Sequence, residues 1–173
     1  MKRAKQGKIT CVIDPSFIIA WSRYRYGSKL SEVVDRCYIL EEFYDLFSNE
    51  KTIGFLRLML ESKVFVIYNS PYDTYRDAMA MILDISVEDN RVCQMSTLIA
   101  KLLAISIDEG IPFLTDNYCV HKFARIYLDK SQVWSSYDLI RYMVDLGALN
   151  NLEEALKAFS EDTGTVFRKI EIS

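Results

Sequence analysis

Two rhythms of apolar and polar positions alternate along the chain. Ile9–Ile13 is a short run rich in β-branched residues, the pattern of a strand buried on both faces. Asp14 ends it, and Pro15 suits the first turn of a helix, where its missing N–H costs no bond. That helix is expected to reach about Trp21. Residues 22–29 are polar and aromatic and include Gly27, so they read as a loop. Ser31 can cap a helix reaching about Phe47, with Val34, Cys37, Tyr38, Leu40 and Phe43 near helical spacing. A further helix is expected over residues 51–61, and a second strand over residues 64–68. Ser70 and Pro71 form a cap-plus-proline start for a helix running to about Ile85. A long helix over residues 89–109 is closed by Gly110. A third strand (111–114), a helix (117–128), a short fourth strand (132–134) and a helix ended by Gly147 follow. Asn151 caps the last helix, with Glu154 placed to reach back to it. Residues 165–172 alternate like a final edge strand.

Strands alternating with helices imply an α/β fold of three layers, a central and mainly parallel sheet flanked by helices on both faces. The whole chain, residues 1–173, reads as one domain. Residues 1–8 form a basic tail, and residues 131–173 form a strand–helix–helix–strand extension. In such sheets ligands sit beyond the C-terminal ends of the strands, near the point where the strand order reverses.

That rule draws attention to three acids. Asp14 follows the first strand directly. Asp77 lies in the helix after the second strand. Asp116 follows the third strand after Leu114 and Thr115. Carboxylates converging at one sheet edge suit hard divalent cations such as Mg2+ or Mn2+. Such ions activate water and stabilise a leaving oxygen in phosphodiester cleavage. Each acid also has a plainer reading. Asp14 and Asp116 could be helix caps, and Asp77 a solvated helix residue.

Composition narrows the picture. Half the residues are hydrophobic, enough for a full core, and charges interrupt every apolar run before it could span a bilayer. The basic start lacks the apolar stretch of a signal peptide, so a cytoplasmic protein is expected. The formal net charge of −3 argues against a protein that coats nucleic acid nonspecifically. Four cysteines, Cys11, Cys37, Cys93 and Cys119, show no C-x-x-C pair and read as buried reduced thiols. The segment from Trp21 to Lys29 interleaves cations with aromatics. Arg23, Arg25 and Lys29 could hold phosphates while Trp21, Tyr24 or Tyr26 stack on bases. The alternative is a solvated loop whose aromatics pack on the domain. Lys122 and Arg125 follow Asp116 and could line the same cleft. His121, the single histidine, reads as a surface or packing residue.

Several segments together resemble the PIN-domain family, in its archaeal type. CVIDPSFIIA is similar to the family's opening strand, acid and helix: Asp14 matches the acid and Ser16 the following polar position, while Pro15 replaces the usual threonine. SPYDTYRDAM resembles the second region, with Asp77 in place of the more usual Glu. In MSTLIAKLLAISIDEG, Ser96, Leu103, Ala104 and Gly110 match the family's long helix. In LTDNYCVHKFA, Thr115, Asp116, Tyr118 and Ala124 match, and Asn117 replaces a second Asp, leaving an amide oxygen that can still coordinate. The C-terminal region, VWSSYDLIRYMVDLGALNNLEEALKAFSEDTG, is similar to the tail of many archaeal members. The resemblance implies a ribonuclease that cleaves RNA with Mg2+ or Mn2+ held by Asp14, Asp77, Asp116 and Asn117. RNA contacts are expected from Ser16, Arg23, Arg25, Lys29, Lys122 and Arg125, and the resemblance implies a homodimer, an antitoxin or an RNA-processing complex as partners. One position departs from the pattern: the third family acid falls at Ile99, whose side chain cannot ligate a metal. The expectation is therefore a weak or impaired endoribonuclease, with an inactive RNA- or protein-binding scaffold as the alternative.

Overall fold

The computed structural model describes residues 7–69, 76–88 and 96–167. Its elements are β1 (Ile9–Ile13), α1 (Pro15–Arg23), α2 (Leu30–Val33), β2 (Val34–Ile39), α3 (Phe43–Leu46), α4 (Glu50–Glu61), β3 (Phe65–Ile67), α5 (Arg76–Glu88), α6 (Thr97–Glu109), β4 (Phe113–Leu114), α7 (Tyr118–Tyr127), β5 (Val133–Trp134), α8 (Ser136–Asp145) and α9 (Leu152–Thr163). The five strands lie in the order β3-β2-β1-β4-β5, and every pairing is parallel. The expected three-layer α/β/α architecture is therefore present. One group of packed helices comprises α1, α4, α8 and α9, and another comprises α5, α6 and α7.

Parallel strands flanked by helices are buried on both faces and need near-continuous apolar sequence. β1 meets this fully: Cys11, Val12 and Ile13 are all inaccessible. Its centre pairs Cys11 with Cys37 and Val12 with Tyr38 on one side, and Val12 with Phe113 on the other. Beneath β1, α1 carries an aromatic cluster. Trp21 stacks on Phe17 with centroids 5.4 Å apart, and Phe159 from α9 lies 6.0 Å from Trp21 and 5.0 Å from Tyr24. Truncating a fully buried side chain such as Trp21 to alanine would cost about 3–5 kcal/mol.

The expected helix from Ser31 to about Phe47 is not formed. Residues 30–33 make a single helical turn, β2 follows with no loop between, and α3 is another single turn. Val34, Cys37 and Ile39 suit a buried strand as well as a helix, because a short apolar run carries both periods. Pairing with β1 and β3 on both sides decides for the strand. Residues 165–167 also form no strand, against the expected final edge strand. The rest of that segment, the Ser70–Pro71 helix start, Asp89, Cys93 and the basic residues Lys2, Arg3 and Lys5 lie outside the described residues. The expectation of reduced thiols holds for Cys11 and Cys37, which are free and buried. It fails for Cys119, which is disulfide-bonded. Spacing along a sequence cannot show which thiols a fold brings into bonding range.

Two glycines shape this frame. Gly110 ends α6 at φ +64°, a left-handed conformation that costs a side-chain-bearing residue energy. Gly27 lies against the end of α1: a Cβ there would sit 2.2 Å from the Trp21 carbonyl oxygen. No helix among the described residues is long and apolar enough to cross a membrane.

Candidate functional site

The strand order runs outward from β1 in both directions, so it reverses between β1 and β4. A parallel α/β sheet opens a crevice at that point. The last residues of these strands, Ile13 and Leu114, are register partners, and the Asp14 N–H donates to the Leu114 carbonyl at 3.1 Å. Asp14 therefore leaves β1 beside Thr115, and Asp116 leaves β4 next to them.

Asp14 is only 1% exposed. It is the N-cap of α1: Oδ1 accepts from the Phe17 N–H at 2.9 Å and from Ser16 Oγ at 2.6 Å. Thr115 Oγ1 donates to Oδ2 across the strand gap. Burial raises the carboxyl above its ordinary value, and the three hydrogen bonds oppose that rise. Asp116 is half-buried and held from α8. Ser136 gives its N–H to Oδ1 at 2.7 Å and its hydroxyl to Oδ2 at 2.5 Å. Ser136 Oγ in turn accepts from Trp21 Nε1 at 2.8 Å. Asn117 spends its Oδ1 on capping α7, accepting from Cys119 N and Val120 N at 3.0 and 3.3 Å.

The remaining expected residues are arranged differently. Asp77 lies in the first turn of α5 with its side chain 92% exposed, 3.3 Å from Nε of Arg76. Ile99 is half-buried in the first turn of α6, where Ser96 Oγ accepts its N–H at 3.3 Å. Arg25 is bound to α9: its N–H and Nε donate to Asp162, and Nη2 reaches both Asp162 and Glu161. Lys29 Nζ donates to the Ala148 carbonyl at 2.8 Å. Arg23 and Arg125 are exposed. Lys122 Nζ sits 5.1 Å from the centroid of Tyr118, whose side chain is 69% exposed at the start of α7. His121 is half-buried. Burial and Arg125 lower its pKa, opposed by Asp138 and by a bond to the Val133 backbone.

Sequence reasoning did not single out Ser136, and it offered Trp21 and Tyr24 only as bases' stacking partners, which the structure corrects: both rings are buried in the core, where α9 packs on them. The signal that could have found Ser136 is its place directly after β5, under the same strand-end rule that found Asp14 and Asp116. Trp21 carries no such signal, because a tryptophan on a buried helix face reads as core.

Among the described residues no three His, Cys, Asp or Glu side chains converge as a metal-binding group. Two strand-end carboxylates, Asp14 and Asp116, are the number that one hydrated cation commonly takes. Mg2+ commonly takes one or two carboxylates and fills the other positions with water and substrate phosphate. The set does not fit a pair of cations. A scan against protein-family models gives no match, and a search of curated proteins gives none.

Proposed function

We propose that this protein is a PIN-like, divalent-cation-dependent endoribonuclease whose cleavage is held low by isoleucine at position 99. The observation that carries the reading is the position of Asp14 and Asp116. They end the two adjacent parallel strands between which the strand order reverses. A bound Mg2+ or Mn2+ would supply charge to the scissile phosphate and acidify a water. Asp116 and Asp14 would hold that ion. Thr115, Ser16 and Ser136 fix the orientation of the two carboxylates. The face of α7 beside Asp116, with Tyr118, Lys122 and Arg125, would take the RNA.

A second reading is an RNA-binding PIN-like domain without catalysis. Two features favour it: Asp77 is solvated instead of held at the strand ends, and Asp14 already accepts from three protein donors.

The test is cleavage of labelled single-stranded and structured RNA with Mn2+, comparing the wild type, Asp14→Asn and Ile99→Asp. Cutting by the wild type that Asp14→Asn abolishes supports the nuclease. An inert wild type with activity gained in Ile99→Asp supports the binding domain. Cutting unchanged in Asp14→Asn would sink both, as would inertness of all three with no RNA binding.

A further inference from the structure

We propose that Ser136 is the positioning residue of the strand-end site and that the Trp21 indole locks it, so that α1 sets the position of both acids. The inference rests on the reading of Asp14 and Asp116 as cation ligands and adds to it the Trp21 bond and the effect of both residues on cation affinity.

The argument starts from donor chemistry. An indole Nε1–H can only donate, and a serine hydroxyl has one proton and two acceptor lone pairs. The bond from Trp21 therefore uses a lone pair of Ser136 Oγ. The hydroxyl proton remains for Asp116 Oδ2, and the backbone N–H of the same residue takes Oδ1. Two donors from one residue, one to each oxygen, fix the plane of the carboxylate as well as its position. Ser136 is 0% exposed, so water reaches these bonds only from the side of the half-buried acid.

The contacts close into a circuit. Asp14 caps α1 and accepts from Thr115. Thr115 precedes Asp116, Asp116 is held by Ser136, and Ser136 is held by Trp21. Trp21 returns to α1, seven residues after Asp14 along a rigid helix, or about 10 Å of axial rise. The strand-end acids are thus referenced to the same helix from its two ends. Partners one bond removed from metal ligands typically change metal affinity about 10- to 100-fold when removed.

The experiment is a calorimetric titration of the full chain with Mn2+, at a fixed temperature well below melting. The wild type is compared with Ser136→Ala, Ser136→Thr, Trp21→Phe and Asp116→Asn, and melting in EDTA serves as the folding control. Asp116→Asn should abolish the binding seen in the wild type. Ser136→Ala should weaken it about tenfold, and Ser136→Thr, which keeps both donors, should restore most of it. Trp21→Phe keeps an aromatic body and loses only the N–H donor at this bond, so it should weaken binding while remaining folded. It carries the test should Ser136→Ala fail to fold.

Wild-type affinity in folded Ser136→Ala and Trp21→Phe, with binding lost in Asp116→Asn, would overturn this inference and leave the cation site standing. A wild type that binds no Mn2+, or an Asp116→Asn variant that binds as the wild type does, would overturn the cation site and this inference with it.

Discussion

Arg25 grips Asp162 three ways, through its backbone N–H at 2.7 Å and through Nε and Nη2 at 3.0 and 2.8 Å. The pair ties the chain just after α1 to the end of α9, which are separated by most of the sequence. The planar guanidinium fork suits a carboxylate in this side-on geometry. The Arg25 bonds hold Asp162 below the usual carboxylate range. Arg25→Ala is therefore expected to lower the melting temperature by about 2–4 °C and to leave RNA affinity within about twofold. Thermal melts at low and high salt check the first part, because an exposed pair weakens as salt screens it. A large loss of RNA affinity with unchanged melting would return Arg25 to the phosphate contacts expected from the sequence.

Tyr118 and Lys122 form an exposed aromatic–cation pair at the start of α7, the pair that the proposed function assigns to RNA. An exposed ring beside the strand-end acids offers a stacking platform, and the ammonium over it can meet a phosphate. Tyr118→Ala should weaken binding of single-stranded RNA about 5- to 100-fold, while Tyr118→Phe should bind nearly as the wild type. Lys122→Ala should reduce the slope of log affinity against log salt by about one. Fluorescence anisotropy over a salt series, in EDTA to prevent cleavage, reads both.

Ile99→Asp should fold. Position 99 is the third residue of α6, and its N–H already bonds the Ser96 side chain. An acid at the third position can reach back to the cap residue and also suits the positive end of the helix dipole. The cost is loss of the half-buried apolar contact, about 1–2 kcal/mol. A urea melt showing a larger loss would mean that the isoleucine is there for packing.

The pH dependence of stability should carry a His121 signature. Its folded pKa lies below the ordinary 6.5, first because of burial and then because of Arg125, with Asp138 and the Val133 backbone opposing. Below about 6.5 the unfolded chain takes the proton first, so the stabilisation is full above that pH and is lost as pH falls through the lower folded value. His121→Gln should flatten the stability curve in this window. Denaturant midpoints measured from pH 7.5 to pH 5 test it, and parallel curves for the two proteins would refute it.

Asp14→Asn should fold close to normally. Asparagine caps helices as well as aspartate does, and the change removes a desolvated charge. Its folded state in EDTA, read by circular dichroism, makes it a sound inactive control.

The sequence disclosed the site's outline better than its wiring. β1 and Asp14 were legible because an apolar run, an acid and a proline each restrict the backbone locally. Asp116 was legible by the same strand-end logic. β2 was not, because Val34, Cys37 and Ile39 satisfy two periods and only pairing on both edges resolves them. Nor was the Trp21–Ser136–Asp116 chain, whose first two members lie 115 residues apart. Asp77 fitted the family's spacing but stands in solvent beside Arg76, away from the strand-end acids' hydrogen-bond partners.

The register pair Cys11–Cys37 at the middle of the sheet gives the chain an internal clock. Both thiols are buried, and burial pushes the Cys37 thiol well above its ordinary value. In the native state burial closes both to an alkylating reagent. β1 must part from β2 before either can react. With excess reagent, their rate of modification therefore reports how often the centre of the protein opens, with no added probe.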